Sequence, residues 1–159
     1  CVGKALSAGS RPISATIVKD KLYDAFSDQP KDNTFYHGHT FAGNPIAAAA
    51  SLAAIQVYEK DRLAERARQM ETLMRDELKD VERLDSVNEA RFLGAIAAIE
   101  LNPGIDLQAI EAARISLMTQ EVLIRPLGRV IYLIPPLVSP FQLLSETCRK
   151  LSQVLQVLG

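Results

Sequence analysis

Gly43-Asn44-Pro45, set between a loop dense in aromatic and polar side chains and an alanine-rich run, is the feature that most constrains this chain. Asparagine is a good helix N-cap and proline is pre-set for the first helical position, so a helix begins here. The run from residue 44 to about 58 is nearly free of polar groups, which predicts close packing and burial on most sides. The preceding loop, Phe35-Tyr36-His37-Gly38-His39-Thr40-Phe41-Ala42, therefore lies near the positive end of a helix. Such a place suits an anion, most often a phosphate.

Composition narrows what this helix can serve. With 159 residues, 48% hydrophobic and 23% charged, the chain is one ordinary folded domain or pieces of two. A net charge of −1 provides no broad basic field for nucleic acid. The longest apolar run, residues 45–55, is shorter than the roughly 20 residues a membrane span needs. Two cysteines, Cys1 and Cys148, make no disulfide framework, and no CxxC or His/Cys ligand spacing occurs, so a reducing cytoplasmic setting is expected. The chain opens on Cys-Val-Gly-Lys rather than Met, from which we expect the C-terminal part of a longer protein.

Residues 1–9 read as a strand end entering a turn, 14–18 as a short strand, 20–26 as a short helix and 27–34 as a polar loop. After the alanine-rich helix, Asp61 is expected to cap a second helix running to about residue 83, with Leu63, Ala67, Met70, Leu73 or Met74, Leu78 and Val81 along one face. Composition turns from alanine-rich to charge-rich here, placing a boundary between residues 1–58 and 59–159. Residues 92–101 read as one strand, Asp106 as the cap of a helix to about 119, and 122–125 and 130–134 as strands about a turn at 126–129. Ser139-Pro140 starts a final helix with Phe141, Leu144, Cys148, Leu151 and Leu155 on one face. The second part is thus expected to be strand-helix-strand-strand-helix, a small sheet covered by helices.

Several residues could carry chemistry, and each has an alternative. Lys4, flanked by Gly3, Ala5 and Leu6, is either a desolvated nucleophile of Schiff-base chemistry or a lysine reaching solvent from a strand end. His37 and His39 are two apart and point the same way on extended backbone, which suits a metal pair or two structural histidines. Thr40 offers a hydroxyl and an N–H either to a phosphate oxygen or to a turn contact. Arg125, before Pro126, can grip a carboxylate with its fork or pair with a surface acid.

Taken together, Gly3-Lys4-Ala5-Leu6 and His37-Gly38-His39-Thr40-Phe41-Ala42-Gly43-Asn44-Pro45 resemble two motifs of the class III pyridoxal-phosphate aminotransferases, of fold type I. The resemblance covers essentially the whole chain. It implies an α/β fold made of the end of the large cofactor-binding domain and a small α+β C-terminal domain. It also implies that Lys4 covalently holds pyridoxal 5'-phosphate and is the catalytic residue. By the same resemblance His39 and Thr40 bind the cofactor phosphate, Gly38 touches substrate, and the enzyme is a homodimer with its active site shared across the interface. No metal is implied. Ile124-Arg125-Pro126-Leu127-Gly128 with Val130-Ile131-Tyr132-Leu133-Ile134-Pro135-Pro136 is most like the branch serving biotin synthesis, where the Arg125 equivalent binds the substrate carboxylate. Other ω-amino-acid transaminases of the family and a non-catalytic assembly module are the alternatives. Ser7-Ala8-Gly9 departs from the usual Thr-Gly-Gly, His39 stands where some members have proline, and Leu137 stands where an aromatic is common.

Overall fold

A computed structural model describes residues 1–27 and 34–158 of the chain. The backbone divides into two units, Cys1–Asp61 and Arg62–Gly159.

The first unit is built on two helices and one bridge. Val2 and Ala15 exchange both backbone hydrogen bonds at 2.8 Å, which closes the segment around a 3-10 turn at Lys4–Ser7. The strand expected over residues 14–18 is reduced to this single bridge, because no second strand lies alongside to extend the ladder. Helix α1 spans Asp20–Ser27 and helix α2 spans Pro45–Lys60. Most of the expected polar loop over residues 27–34 lies outside the described residues. On α2, contrary to the burial expected on most sides, only Ala47 and Ser51 are buried, under the 3-10 turn's side of the helix. Ile46, Leu52, Ile55, Val57 and Tyr58 are exposed. The apolar surface is real, but this chain supplies a cover for one narrow stripe.

The second unit begins with α3, Leu63–Glu77, followed by a 3-10 turn at Val81–Arg83. The helix is shorter than the periodicity suggests, and Asp61 is not its cap. The Asp61 N–H instead closes α2 on Val57 O at 2.9 Å, and Arg62 enters α3 from a left-handed conformation with φ of 51°. Strands β1, Val87–Leu93, and β2, Ile96–Leu101, form a hairpin where a single strand was expected. The break falls at Gly94, whose φ of +56° suits a tight turn and not a continuing strand. Helix α4, Leu107–Thr119, is capped by Asp106, whose carboxylate accepts from Gln108 N at 3.1 Å. Residues 122–125 run without a strand partner, and β3, Val130–Leu133, then pairs antiparallel with β2. The order is therefore helix-strand-strand-helix-strand-helix, ending in α5, Phe141–Gln156.

The sheet order is β1-β2-β3. Its inner face carries Ala97, Ile99 and Leu101 from β2 with Ile131 and Leu133 from β3, all buried. They join Met70, Met74 and Leu78 of α3 and Leu144, Cys148, Leu151 and Leu155 of α5 in one core. Each such leucine, isoleucine or methionine contributes roughly 1.5–3 kcal/mol by leaving water. Burial, with the Glu77 carboxylate nearby, pushes the Cys148 thiol up to about 12, so it is an inert core residue. The outer face is mixed: Arg91 pairs with Glu89 on its own strand and with Glu100 across on β2, while Leu93 and Ile96 lie exposed at the hairpin end. No helix among the described residues is long and apolar enough to cross a membrane.

One carboxylate ties the hairpin to α3. Glu71 Oε2 accepts from Gly94 N at 2.7 Å and Oε1 meets Arg75 at 3.3 Å. The Gly94 N–H first, and Arg75 second, hold its pKa below the usual carboxylate value. A lowered folded-state pKa stabilises above the unfolded-state value and loses that contribution as pH falls through the folded one. We expect Glu71→Gln to melt below the parent at neutral pH and to converge with it on acidification, as read by thermal melts across pH. A gap that stays constant would refute the assignment.

Candidate functional site

Lys4 opens the 3-10 turn in a strained conformation, with φ of 42°, and its side chain is exposed. A non-glycine residue in this region costs about 1–2 kcal/mol and persists only where its surroundings hold it. Gly9 N donates to Lys4 O at 3.3 Å, and Ser7 ties the end of the turn to the residues after it. Ser7 is buried, its hydroxyl donates to Arg11 O and accepts from Arg11 N at 3.3 Å, and its carbonyl accepts from Ser10 Oγ at 2.7 Å. The turn packs against α2. Among the described residues no carboxylate pairs with Lys4, and in this chain its side chain reaches solvent; the desolvated surroundings expected of a nucleophile are not supplied by the described residues. Ser7 was legible only as a small residue after the lysine; its place as the hub of this turn depends on Arg11 folding back onto it.

Gly38, His39 and Thr40 precede α2 on an exposed segment that turns at residues 40–43. His39 Nδ1 accepts from Phe41 N at 3.2 Å, and Ala42 N donates to His39 O at 2.8 Å, so the imidazole braces the turn. His37 and His39 are separated in role, the first against the Phe35 ring at 5.4 Å and the second against Phe41 at 5.7 Å. Among the described residues no group of three His, Cys, Asp or Glu side chains is placed to hold a metal ion.

The start of α2 itself is closed to an anion, which corrects the expectation drawn from the helix dipole. Pro45 has no N–H, and Asn44 Oδ1 takes the next two donors, Ile46 N at 2.9 Å and Ala47 N at 3.3 Å. What remains is Thr40, whose hydroxyl and N–H have no partner among the described residues. Gly38 has open space around it: a Cβ there would meet nothing within 4 Å, and its φ is not in the left-handed region. Neither packing nor backbone within this chain demands glycine at that position.

Arg125 lies in the second unit. Its side chain is exposed, it follows buried Ile124, and the strand expected to carry it is absent. The residue lines two neighbouring cavities, one of about 530 Å³ against Glu111 and Arg114 of α4 and one of about 460 Å³ against Tyr132 and residues 134–136. In the first, Arg114 is engaged by Glu111 at 2.6 and 2.9 Å. Among the described residues no carboxylate engages Arg125, which leaves its fork available to a ligand. Among the described residues of the first unit, an amine, a hydroxyl and an N–H without partners and a glycine with room in front of it fit pyridoxal phosphate; in the second, a guanidinium without an ion-pair partner fits a carboxylate.

The chain was also compared with known proteins. The family model "Aminotransferase class-III" matches residues 1–155. The adenosylmethionine-8-amino-7-oxononanoate aminotransferase of Geobacter sulfurreducens is 37% identical over 145 residues, covering 86% of this chain and 32% of the relative. The crystal structure of the enzyme of that name from Methanocaldococcus jannaschii superposes with a TM-score of 0.83 at 28% identity, covering 98% of this chain and 38% of that one. Acetylornithine aminotransferase from Elizabethkingia anophelis gives 0.80 at 32% identity, covering 96% and 37%. The chain thus has the fold of fold type I aminotransferases and spans about a third of the length of the curated relatives it matches.

Ala8 is the second strained residue of the lysine turn, with φ of 50°, at a position where glycine is the better fit. Relief of about 1–2 kcal/mol of left-handed strain outweighs the roughly 0.4–1 kcal/mol of added unfolded-state entropy. We expect Ala8→Gly to raise stability by about 0.5–1 kcal/mol in urea unfolding; a loss of stability would show that the methyl group makes a contact outweighing its strain.

Proposed function

The chain belongs to the class-III aminotransferase family, and on that premise we propose that the protein carrying it moves an amino group from S-adenosylmethionine to 8-amino-7-oxononanoate in biotin synthesis. The observation that carries this reading is the Arg125 fork, without an ion-pair partner among the described residues, on a cavity whose lining is mostly apolar, with Glu121, Tyr132, Ser139 and Thr147 as its other polar side chains. It sits in the Ile124-to-Pro136 run that resembles the biotin branch, and the relative from Geobacter sulfurreducens bears that enzyme's name. We assign residues 1–58 to the end of the large cofactor-binding domain and 59–159 to the small C-terminal domain. The working protein is proposed to be a cytoplasmic homodimer whose partner subunits share each active site; the uncovered apolar face of α2 is in keeping with further protein packing there.

Class-III aminotransferases depend on pyridoxal phosphate, which when bound supplies the electron sink for breaking a bond at the amine-bearing carbon. Lys4 Nζ would hold it, with the phosphate on the Thr40 hydroxyl and N–H and beside His39. The strained turn fixes where that amine projects, so Ser7 and its bonds to Arg11 orient the nucleophile. With the cofactor bound, a free Lys4 amine would take the proton from the donor's amine-bearing carbon and, as the ammonium, hand it back, a general acid–base role. In the first unit Thr40 would anchor the phosphate charge. In the second, Arg125 would fix the acceptor by a bidentate grip on its carboxylate, which supplies orientation without chemistry. The bare edge of Gly38 leaves room for substrate.

A second reading is favoured by the match to acetylornithine aminotransferase at 32% identity. In it the same lysine and threonine act on an amino-acid donor. An amine-donor screen that includes S-adenosylmethionine separates the two, and turnover with acetylornithine in place of S-adenosylmethionine would overturn the first.

Two substitutions in the full-length protein test the residue roles. Lys4→Ala is expected to remove both turnover and the visible absorption of the lysine-bound cofactor; retention of either ends the assignment. Arg125→Gln should raise KM for the acceptor by about tenfold or more, the worth of a charge-assisted hydrogen bond, while cofactor affinity holds. A change confined to cofactor affinity would count against it.

A further inference from the structure

Arg66 on α3 makes no ion pair among the described residues and is half-buried, an unusual state for a guanidinium. Its donors go instead to backbone. Nε donates to Leu137 O and Nη2 to Ser139 O at 2.6 Å, while the Phe141 ring lies against the same group, 4.4 Å from Cζ to centroid. These carbonyls belong to the connection between β3 and α5, which Leu137 anchors to the core by packing but which has few hydrogen bonds of its own. Pro135 and Pro136 remove two donors, Ser139 N bonds to Pro136 O at 2.9 Å, and Pro140, the N-cap of α5, offers no side-chain cap. A planar fork holds two carbonyls two residues apart in one pre-set geometry; an ammonium has three donors but gathers them on one rotating nitrogen and fixes no such spacing.

This connection is also a wall. Ile134, Pro135, Pro136 and Ser139 line the cavity of about 460 Å³ whose opposite side carries Ile124 and Arg125. We infer that Arg66 is a positioning residue for the acceptor pocket: by clamping the β3–α5 connection to α3 it sets the distance between the Pro135-Pro136 wall and the Arg125 fork. The inference rests on the proposed role of Arg125 as the carboxylate grip. Arg66 itself touches no substrate, so its effect falls on how well the acceptor is seated and not on the lysine chemistry.

The test uses the full-length holoenzyme with 8-amino-7-oxononanoate as acceptor. Arg66→Lys keeps the charge and Arg66→Met keeps the stem, but neither keeps the fork. Both are expected to raise acceptor KM by about tenfold, as two hydrogen bonds to the wall are lost, with kcat within about twofold and cofactor affinity unchanged. Combined with Arg125→Gln, either should raise KM by less than the product of the separate effects, because both act on one contact. If Arg125→Gln alone leaves KM unchanged, the carboxylate reading falls and this inference with it. If Arg125→Gln raises KM and the Arg66 variants do not, the positioning role alone is overturned, as it also is if kcat and cofactor affinity fall together with KM. Should both Arg66 variants melt below the assay temperature, Phe141→Leu keeps the apolar packing and removes the ring against the guanidinium. Its KM is then expected to rise about threefold, and an unchanged KM overturns the inference.

Discussion

The second unit depends on a seam in which α3 and α5 lie against one face of a three-stranded sheet. Met70, Met74 and Leu78 on one helix and Leu151 and Leu155 on the other are wholly removed from water, and Ile99 and Ile131 close the seam from the sheet. Because strands alternate faces, burying Ala97 and Ile99 obliges Ala98 and Glu100 to point the other way, where Arg91 bridges two carboxylates. Everything that presents Arg125 hangs from this seam. Ile124 is buried in it, α4 and β3 bracket the segment in sequence, and the clamp from Arg66 fixes the far wall.

In the first unit the organising contact is polar and small. A lysine in a left-handed conformation opens a turn whose last residue, the buried Ser7, both donates to and accepts from Arg11 through its hydroxyl. Strain here is informative because the relaxed alternative is cheap: a lysine needed only at the surface has no reason to occupy such backbone. The same unit leaves Ile46, Leu52, Ile55 and Tyr58 of α2 in solvent, so its helices have apolar surface to spare for further protein. Asn44 shows why a helix dipole alone is a poor guide to anion binding. The residue that makes the helix start legible also consumes the donors an anion would use.

The elements legible in the sequence were those whose signals are local. Asn44-Pro45, Asp106 and Ser139-Pro140 mark helix starts through capping and ring geometry, and Met70, Met74, Leu78 and Leu151, Leu155 mark buried stripes through helical spacing. The errors fell where a partner decides. Residues 14–18 and 122–125 have strand-like composition but no neighbour to pair with along their length. Residues 92–101 are uniformly apolar, so periodicity could not reveal that the chain reverses at Gly94, a turn that Glu71 secures from another element. Asp61 had the right chemistry for a cap and was used to end the helix before it.

The sequence by itself determined which residues could carry chemistry, since an amine beside glycine, a His-Gly-His-Thr run before Asn-Pro and an arginine before proline are each set by residue type and spacing. It also determined the family resemblance, because those motifs are contiguous. Only the tertiary structure decided which donors are free. Hydrogen bonding is a competition among groups distant in the chain: Asn44 claims the α2 donors, Glu111 claims Arg114, and Arg66 spends its fork on carbonyls more than seventy residues away, while Lys4, Thr40 and Arg125 remain open. No local pattern records the outcome of that competition, since the competing groups meet only when the core has brought their elements together.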